Sequence, residues 1–218
     1  MTRCTRHFVQ VAALLLLPGL AYGASFTNGS FESGTNPGAT FITLTAPDST
    51  NITGWTVSNS SIDYIGLYWT AADGTRSLDM DGNSPQGAIR QTFDTVANTN
   101  YVVRFAMAGN PDGGAAIKNL RVSTDSGSST DYSFDVTGHT HADMGWQEKI
   151  FLFLATGTST TLTFASLTPL TGACCFGAAL DNVRVQAAVP EPTTLLLWGT
   201  MAFGIAAAIR WRRHPRQA

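Results

Sequence analysis

Tyr101-Val102-Val103-Arg104-Phe105-Ala106-Met107, set off by the turn-forming run Ala97-Asn98-Thr99-Asn100, decides the fold class. β-Branched and aromatic residues of this kind fit a pleated, half-buried surface. The pattern recurs on both sides. Ile89-Arg90-Gln91-Thr92-Phe93 alternates apolar and polar, and further strands are predicted over Ile117–Val122, Tyr132–Val136, Trp146–Leu154, Thr160–Leu167 and Ala179–Val185. The separators are turn-formers: Asn110-Pro111-Asp112-Gly113-Gly114, Asp125-Ser126-Gly127-Ser128, Thr156-Gly157-Thr158 and the stretch from Gly172 to Gly177. Short strands at this spacing, with no helical period between them, predict an all-β sandwich.

The two ends of the chain differ from this body. Arg3 and Arg6 precede a short apolar run, Phe8 to Leu17, and Pro18-Gly19 breaks it ahead of Ala21-Tyr22-Gly23. That order is a secretory signal peptide, residues 1–23, with signal peptidase cutting after Gly23. At the other end, Thr193 to Ile209 carries no charge and is followed by Arg210, Arg212, Arg213 and Arg216. A run of this length is at the low end of what crosses a ~30 Å hydrocarbon core. The arginines hold its far end in the cytoplasm. Ahead of it stands Pro190-Glu191-Pro192, an extended segment that can join neither helix nor sheet.

This C-terminal arrangement, residues 189–216, resembles the PEP-CTERM sorting signal. The resemblance implies an exosortase, a membrane protease-transpeptidase of Gram-negative bacteria that make exopolysaccharide, as processing partner. It also implies a membrane-tethered intermediate and a final place at the cell surface or in the extracellular matrix.

The body, residues 24–188, is long enough for one domain with its own core. Setting aside Glu191 and the six arginines of the two ends leaves 14 acids against 7 bases, a formal charge near −7. No basic cluster is present, which argues against nucleic acid as a partner.

Several separated pieces carry a second resemblance: Asn28-Gly29-Ser30-Phe31-Glu32, Gly54-Trp55, Ile62-Asp63-Tyr64-Ile65, Ser77-Leu78-Asp79-Met80-Asp81-Gly82, Gly87 to Phe93, and Gly177 to Val185. In this order they resemble the choice-of-anchor C domain, a bacterial relative of the plant cell-wall domain-of-unknown-function family 642. The resemblance spans about Ser25 to Gln186. It implies a galactose-binding-like jelly roll, the fold of many carbohydrate-binding modules. One departure stands before the closing strand, where Phe176-Gly177-Ala178 replaces the family's usual Cys-Gly-Pro and puts its disulfide in doubt. Once Cys4 leaves with the signal peptide, the body keeps Cys174 and Cys175. Adjacent cysteines bond only through a strained ring. Reduced or intermolecularly paired thiols, a vicinal disulfide and metal binding all stay open.

Candidate sites are read from residue chemistry. In a jelly roll of the implied type the first and last strands are neighbours. Glu32 and Asp181 would then meet, either as hydrogen-bonded turn or edge residues or as ligands of the structural calcium ion that the resemblance implies for related modules. Asp79-x-Asp81-Gly82-Asn83 echoes the start of a calcium loop but lacks its distal glutamate, so it reads as a solvated turn. His139 and His141 have no evident third ligand and read as a solvated loop. Carbohydrate modules stack sugar CH faces on aromatics and bind hydroxyls with polar side chains. Tyr68 and Trp69, in a polar stretch with Asp73 and Arg76, are therefore the candidate platform, with core packing of the two rings the alternative reading. If that stretch is extended, only one of the two rings can face a ligand.

Signatures of serine hydrolases, zinc proteases and phosphate-binding loops are missing. The expected function is thus a non-catalytic, exported β-sandwich that binds polysaccharide or other envelope components. The alternative is an extracellular glycan hydrolase, whose paired carboxylates need only spatial proximity.

Overall fold

The computed structural model describes residues 25–84, 86–170 and 175–188. The predicted signal peptide and the Pro190-Glu191-Pro192 sorting tail lie outside these residues. Among the described residues there are eleven strands: β1 Phe41–Thr45, β2 Thr56–Asn59, β3 Ser61–Ile65, β4 Ser77–Asp79, β5 Ala88–Asp94, β6 Asn100–Gly109, β7 Ile117–Thr124, β8 Ser129–Asp135, β9 Gln147–Leu154, β10 Ser159–Ser166 and β11 Ala178–Ala187. They form two antiparallel sheets. One is ordered β1-β3-β4-β11-β6-β9 and the other β2-β5-β10-β7-β8.

The seven strands predicted from Ile89 onward are all present within a few residues of their expected bounds. Their inward positions form the core, with Ile89, Phe93, Tyr101, Val103, Phe105, Leu120, Val122, Phe151, Phe153, Leu162 and Phe164 all buried. A fully buried side chain of this size contributes about 1.5–3 kcal/mol. Phe105 meets Phe164 edge-on at 5.3 Å, which ties the two sheets together.

The first and last strands are not neighbours. β11 runs between β4 and β6, and β1 sits at the sheet edge beside β3. Asn28-Gly29-Ser30-Phe31 is not a strand but a turn, with Asn28 and Phe31 both at positive φ. It docks instead into an irregularity of β11, where the register shifts between Asp181 and Arg184 and Asn182 has φ of 49°. Val183 N donates to Gly29 O at 2.8 Å. A Cβ on Gly29 would lie 1.8 Å from Val183 O, so only glycine fits there. Trp55 Nε1 donates to Asn28 O at 3.0 Å, and Asn28 Nδ2 donates to Ser33 O and Thr53 O. Gln91, buried on β5, pairs with the backbone of Thr27 through both ends of its amide. Four separated sequence motifs therefore meet in one knot that closes the body on itself.

Candidate functional site

The β3–β4 loop, residues 66–76, does not project from the sandwich end. It folds across the outer face of the six-stranded sheet, where Ala72 N and Asp73 N donate to Asp181 Oδ2 at 2.8 and 2.9 Å. Its far side meets the β8–β9 loop. Thr70 N donates to His141 O at 2.9 Å, and Trp146 Nε1 donates to Thr70 O at 2.9 Å.

The four expected platform residues separate within this loop. Trp69 is 4% exposed, and its indole N–H donates to Ser77 Oγ at 2.7 Å. It belongs to the core, so the expectation that it offers a stacking face is corrected. Tyr68, the preceding residue, is half-buried, with its ring 5.8 Å from that of Trp69. Asp73 is exposed, and its backbone N–H serves Asp181. Arg76 is turned inward: its Nη1 donates to Glu32 O and to Tyr64 OH, both at 2.8 Å, and its guanidinium lies 5.6 Å from the Tyr64 ring centre. Tyr64 OH in turn donates to Phe31 O. Arg76 is thus a clamp between the loop and the turn at residues 31–34.

Glu32 and Asp181 come to the same loop, yet through N–H donors. Glu32 Oε1 accepts from Thr75 N and Arg76 N, both at 2.7 Å, and Oε2 accepts from Thr75 Oγ1 at 3.0 Å. Asp181 accepts from Ala72, Asp73 and Asn182 N–H groups. Burial raises the Asp181 carboxyl to about 7, against the pull of those three donors. Among the described residues no group of three or more His, Cys, Asp or Glu side chains is placed to hold a metal ion.

Tyr68 is where the chemistry gathers. Its OH donates to Asp112 Oδ2 at 2.8 Å, and His141 Nε2 lies 2.8 Å from Asp112 Oδ1. The Tyr68 and His141 rings are 4.5 Å apart, and Phe41 meets Tyr68 edge-on at 5.4 Å. This ridge separates two hollows. One is an open depression of about 440 Å³, lined by Leu67, Tyr68, Thr70, Gly74 and His141 among others. The other is a narrow cleft of about 90 Å³ between β1, β3 and β4 on one side and the loops at 110–112 and 175–176 on the other. A water molecule occupies about 30 Å³ in the liquid. The cleft is therefore a few water molecules in size, and the depression is several times larger.

The cleft has aromatic walls and an acidic floor. Phe41, Tyr68 and Phe176 supply rings, and Asp63, Asp79, Asp112, Asn83 and Asn110 supply polar groups. Asp63 and Asp79 are direct partners across β3 and β4. Asp63 is 5% exposed, and Thr43 Oγ1 donates to its Oδ1 at 2.6 Å. Its other oxygen meets no hydrogen-bond donor among the described residues. Burial raises its carboxyl above the ordinary range, against the Thr43 hydrogen bond.

Asp79 and Asp81 are buried, at 1% and 2% exposure, which corrects the reading of this segment as a solvated turn. Asp79 Oδ1 accepts from Asp81 N and Gly177 N, and Oδ2 accepts from Asn110 Nδ2 at 2.7 Å. Asn110 Oδ1 accepts from Asp112 N, which links the buried acid to the Tyr68 ridge. Gly177, in the family's departure point, touches this group so closely that a Cβ would lie 2.6 Å from Asp79 Oδ1. Cys175 lines the cleft and is disulfide-bonded; the other cysteines, Cys4 and Cys174, lie outside the described residues. His139 packs on Phe134 at 5.2 Å and lines one hollow together with His141.

Of the cleft residues, Tyr68 is legible in the sequence, whereas Phe41, Asp63, Asp112 and Phe176 are not. Only the Asn-Pro-Asp-Gly-Gly loop signal points near one of them, because the cleft is assembled from five separated segments.

Residues 24–186 match the family described as protein of unknown function (DUF642). Halomucin of Haloquadratum walsbyi is 33% identical over 195 residues; the match takes in 81% of this chain and only 2% of that protein. Among solved structures, part of an arabinose-bound α-L-arabinofuranosidase aligns with TM-score 0.51 and 11% identity, over 78% of this chain and 27% of that one. A carbohydrate-binding module in complex with β-1,4-galactotriose aligns with TM-score 0.44 and 12% identity, over 74% and 97%. A family 35 carbohydrate-binding module from Paenibacillus barcinonensis gives 0.40 and 18%, over 67% and 99%.

Proposed function

The chain belongs to the DUF642 family, and from that membership and the cleft geometry we infer a non-catalytic, polysaccharide-binding β-sandwich. One observation carries the reading: the rings of Phe41, Tyr68 and Phe176 line the same cleft as the polar side chains of Asp63, Asn83, Asn110 and Asp112. Phe41, 38% exposed, and Tyr68 offer apolar surface to CH faces. Asp63, Asn83 and Asp112 offer hydrogen-bond partners to hydroxyls. A hydrolase reading would need two carboxylates free to exchange protons. Asp79, the partner of Asp63, commits both oxygens to three protein N–H donors, which supports binding over cleavage.

The test is retention of the full-length chain, in detergent, on gels containing single polysaccharides. Phe41→Ala and Tyr68→Ala should each weaken binding by 5- to 150-fold, the effect of losing about 1–3 kcal/mol at a central contact. Trp69→Ala should instead lower the melting temperature. If Phe41→Ala and Tyr68→Ala stay folded and are retained like the parent, the cleft is not the site. Release of reducing ends from a retained polymer would move the assignment to the hydrolase.

The proposed role includes export. The signal-peptide pattern at residues 1–23 and the tail at 189–216 support secretion, handling by an exosortase and display at the cell surface or in the matrix. Intact-mass analysis of the protein from a host with that enzyme should show the segment after about Pro192 removed. A mature mass that retains the arginine cluster rules out this processing.

A further inference from the structure

We propose that the cleft selects uncharged sugar units and excludes uronates. The inference rests on reading the cleft as the sugar site and adds its substrate class. Three carboxylates line the cleft, Asp63, Asp79 and Asp112. Their neighbours hold few donors in reserve. Asn110 commits its amide to Asp79 Oδ2 and Cys175 O, and its carbonyl oxygen to Asp112 N. The buried Asp63 presents an oxygen with no donor among the described residues. The cleft therefore offers a free acceptor and few free donors, a setting that a hydroxyl group satisfies and a second carboxylate does not.

Among the described residues around the cleft, no cation is free to offset an incoming negative charge. Lys118 is fully buried and donates to Gly113 O and Phe176 O at 2.6 and 2.7 Å, and its one positive charge is already shared among Asp79, Asp81 and Asp112. Arg76 is committed to Glu32 and Tyr64. His141, at the rim, is paired with Asp112. The net charge of the body, near −7, adds the same sign at longer range. Acids that burial already holds above their ordinary range, Asp63 among them, would be crowded further by a uronate.

The test compares matched polymers at pH 7.5 with the full-length chain: polygalacturonate, its fully methyl-esterified form and its carboxyl-reduced form, beside neutral galactan, arabinan and xylan and acidic alginate. The expected result is binding to neutral polymers at least about tenfold tighter than to uronates, the effect of one unfavourable charge contact at the edge of a protein. Asp112→Asn should narrow the ratio between the esterified and acidic forms, and so should Asp63→Asn if Asp112→Asn unfolds. Uronates bound as well as or better than their neutral forms overturn the selectivity and leave the sugar site standing. Binding of none of these polymers overturns both.

Discussion

Asp79→Ala is expected to cost about 3–5 kcal/mol, a large share of the 5–15 kcal/mol that holds a domain of this kind. Asp79 is 1% exposed and is the acceptor for three donors from three segments: Asp81 N, Gly177 N and Asn110 Nδ2. Alanine strands all three in a place water does not reach, and each buried unpaired donor costs about 1–3 kcal/mol before the structure relaxes. Asp79→Asn should cost less. It keeps one oxygen for the two backbone donors but turns an amide N–H toward that of Asn110. Urea unfolding with an unchanged slope measures both. An alanine variant within about 1 kcal/mol of the parent would mean that the three donors find other partners. The same variant should weaken sugar retention, because Asn110 positions Asp112 beneath Tyr68.

How much of this is legible in the sequence divides along the chain. From Ile89 onward the strands are long, alternate cleanly and are separated by Gly, Asn and Asp, so local pattern and tertiary role agree. The first four strands are shorter and harder to read. β4 has three residues, and β3, Ser61–Ile65, alternates polar and apolar in sequence yet is buried on both faces, so its pattern misstates which side chains meet water. Their place is set by partners far away, β11 and the 66–76 loop. Asp63 and Asp79 look like surface acids for the same reason: nothing in their neighbours announces that loops far along the chain will cover them. Tyr68 and Trp69 are legible as a pair of aromatics, but their different burial is not: the rings stay 5.8 Å apart and both approach His141. Which of the two faces outward depends on Ser77 offering the indole its acceptor.

The melting temperature should rise as the pH falls from 8 to 5. Burial raises the carboxyls of Asp63, Asp79, Asp81 and Asp181 above the range of an exposed acid, with Asp181 at about 7. An acid whose folded pKa lies above its unfolded value, about 3.9, binds its proton more tightly when folded. Its contribution is complete below the unfolded value and is lost as pH rises through the folded one. For Asp181 that window runs from about 4 to 7, and each unit within it is worth about 1.4 kcal/mol. Going from pH 7 to 5 should therefore add about 2–3 kcal/mol from Asp181 alone, or roughly 5–10 °C. Asp131 and Asp135 are held below the ordinary range by hydrogen bonds from Arg121 and Thr137, so their opposite effect falls below pH 4, outside the window. Asp181→Asn should flatten the slope. The same series decides the calcium expectation. A bound ion requires both carboxylates ionised. A calcium clamp between Glu32 and Asp181 would therefore reverse the trend, with stability rising toward pH 8 and falling when a chelator is added. A higher melting temperature at pH 5, unchanged by chelator, assigns the two acids to gripping the 72–76 loop through its N–H groups.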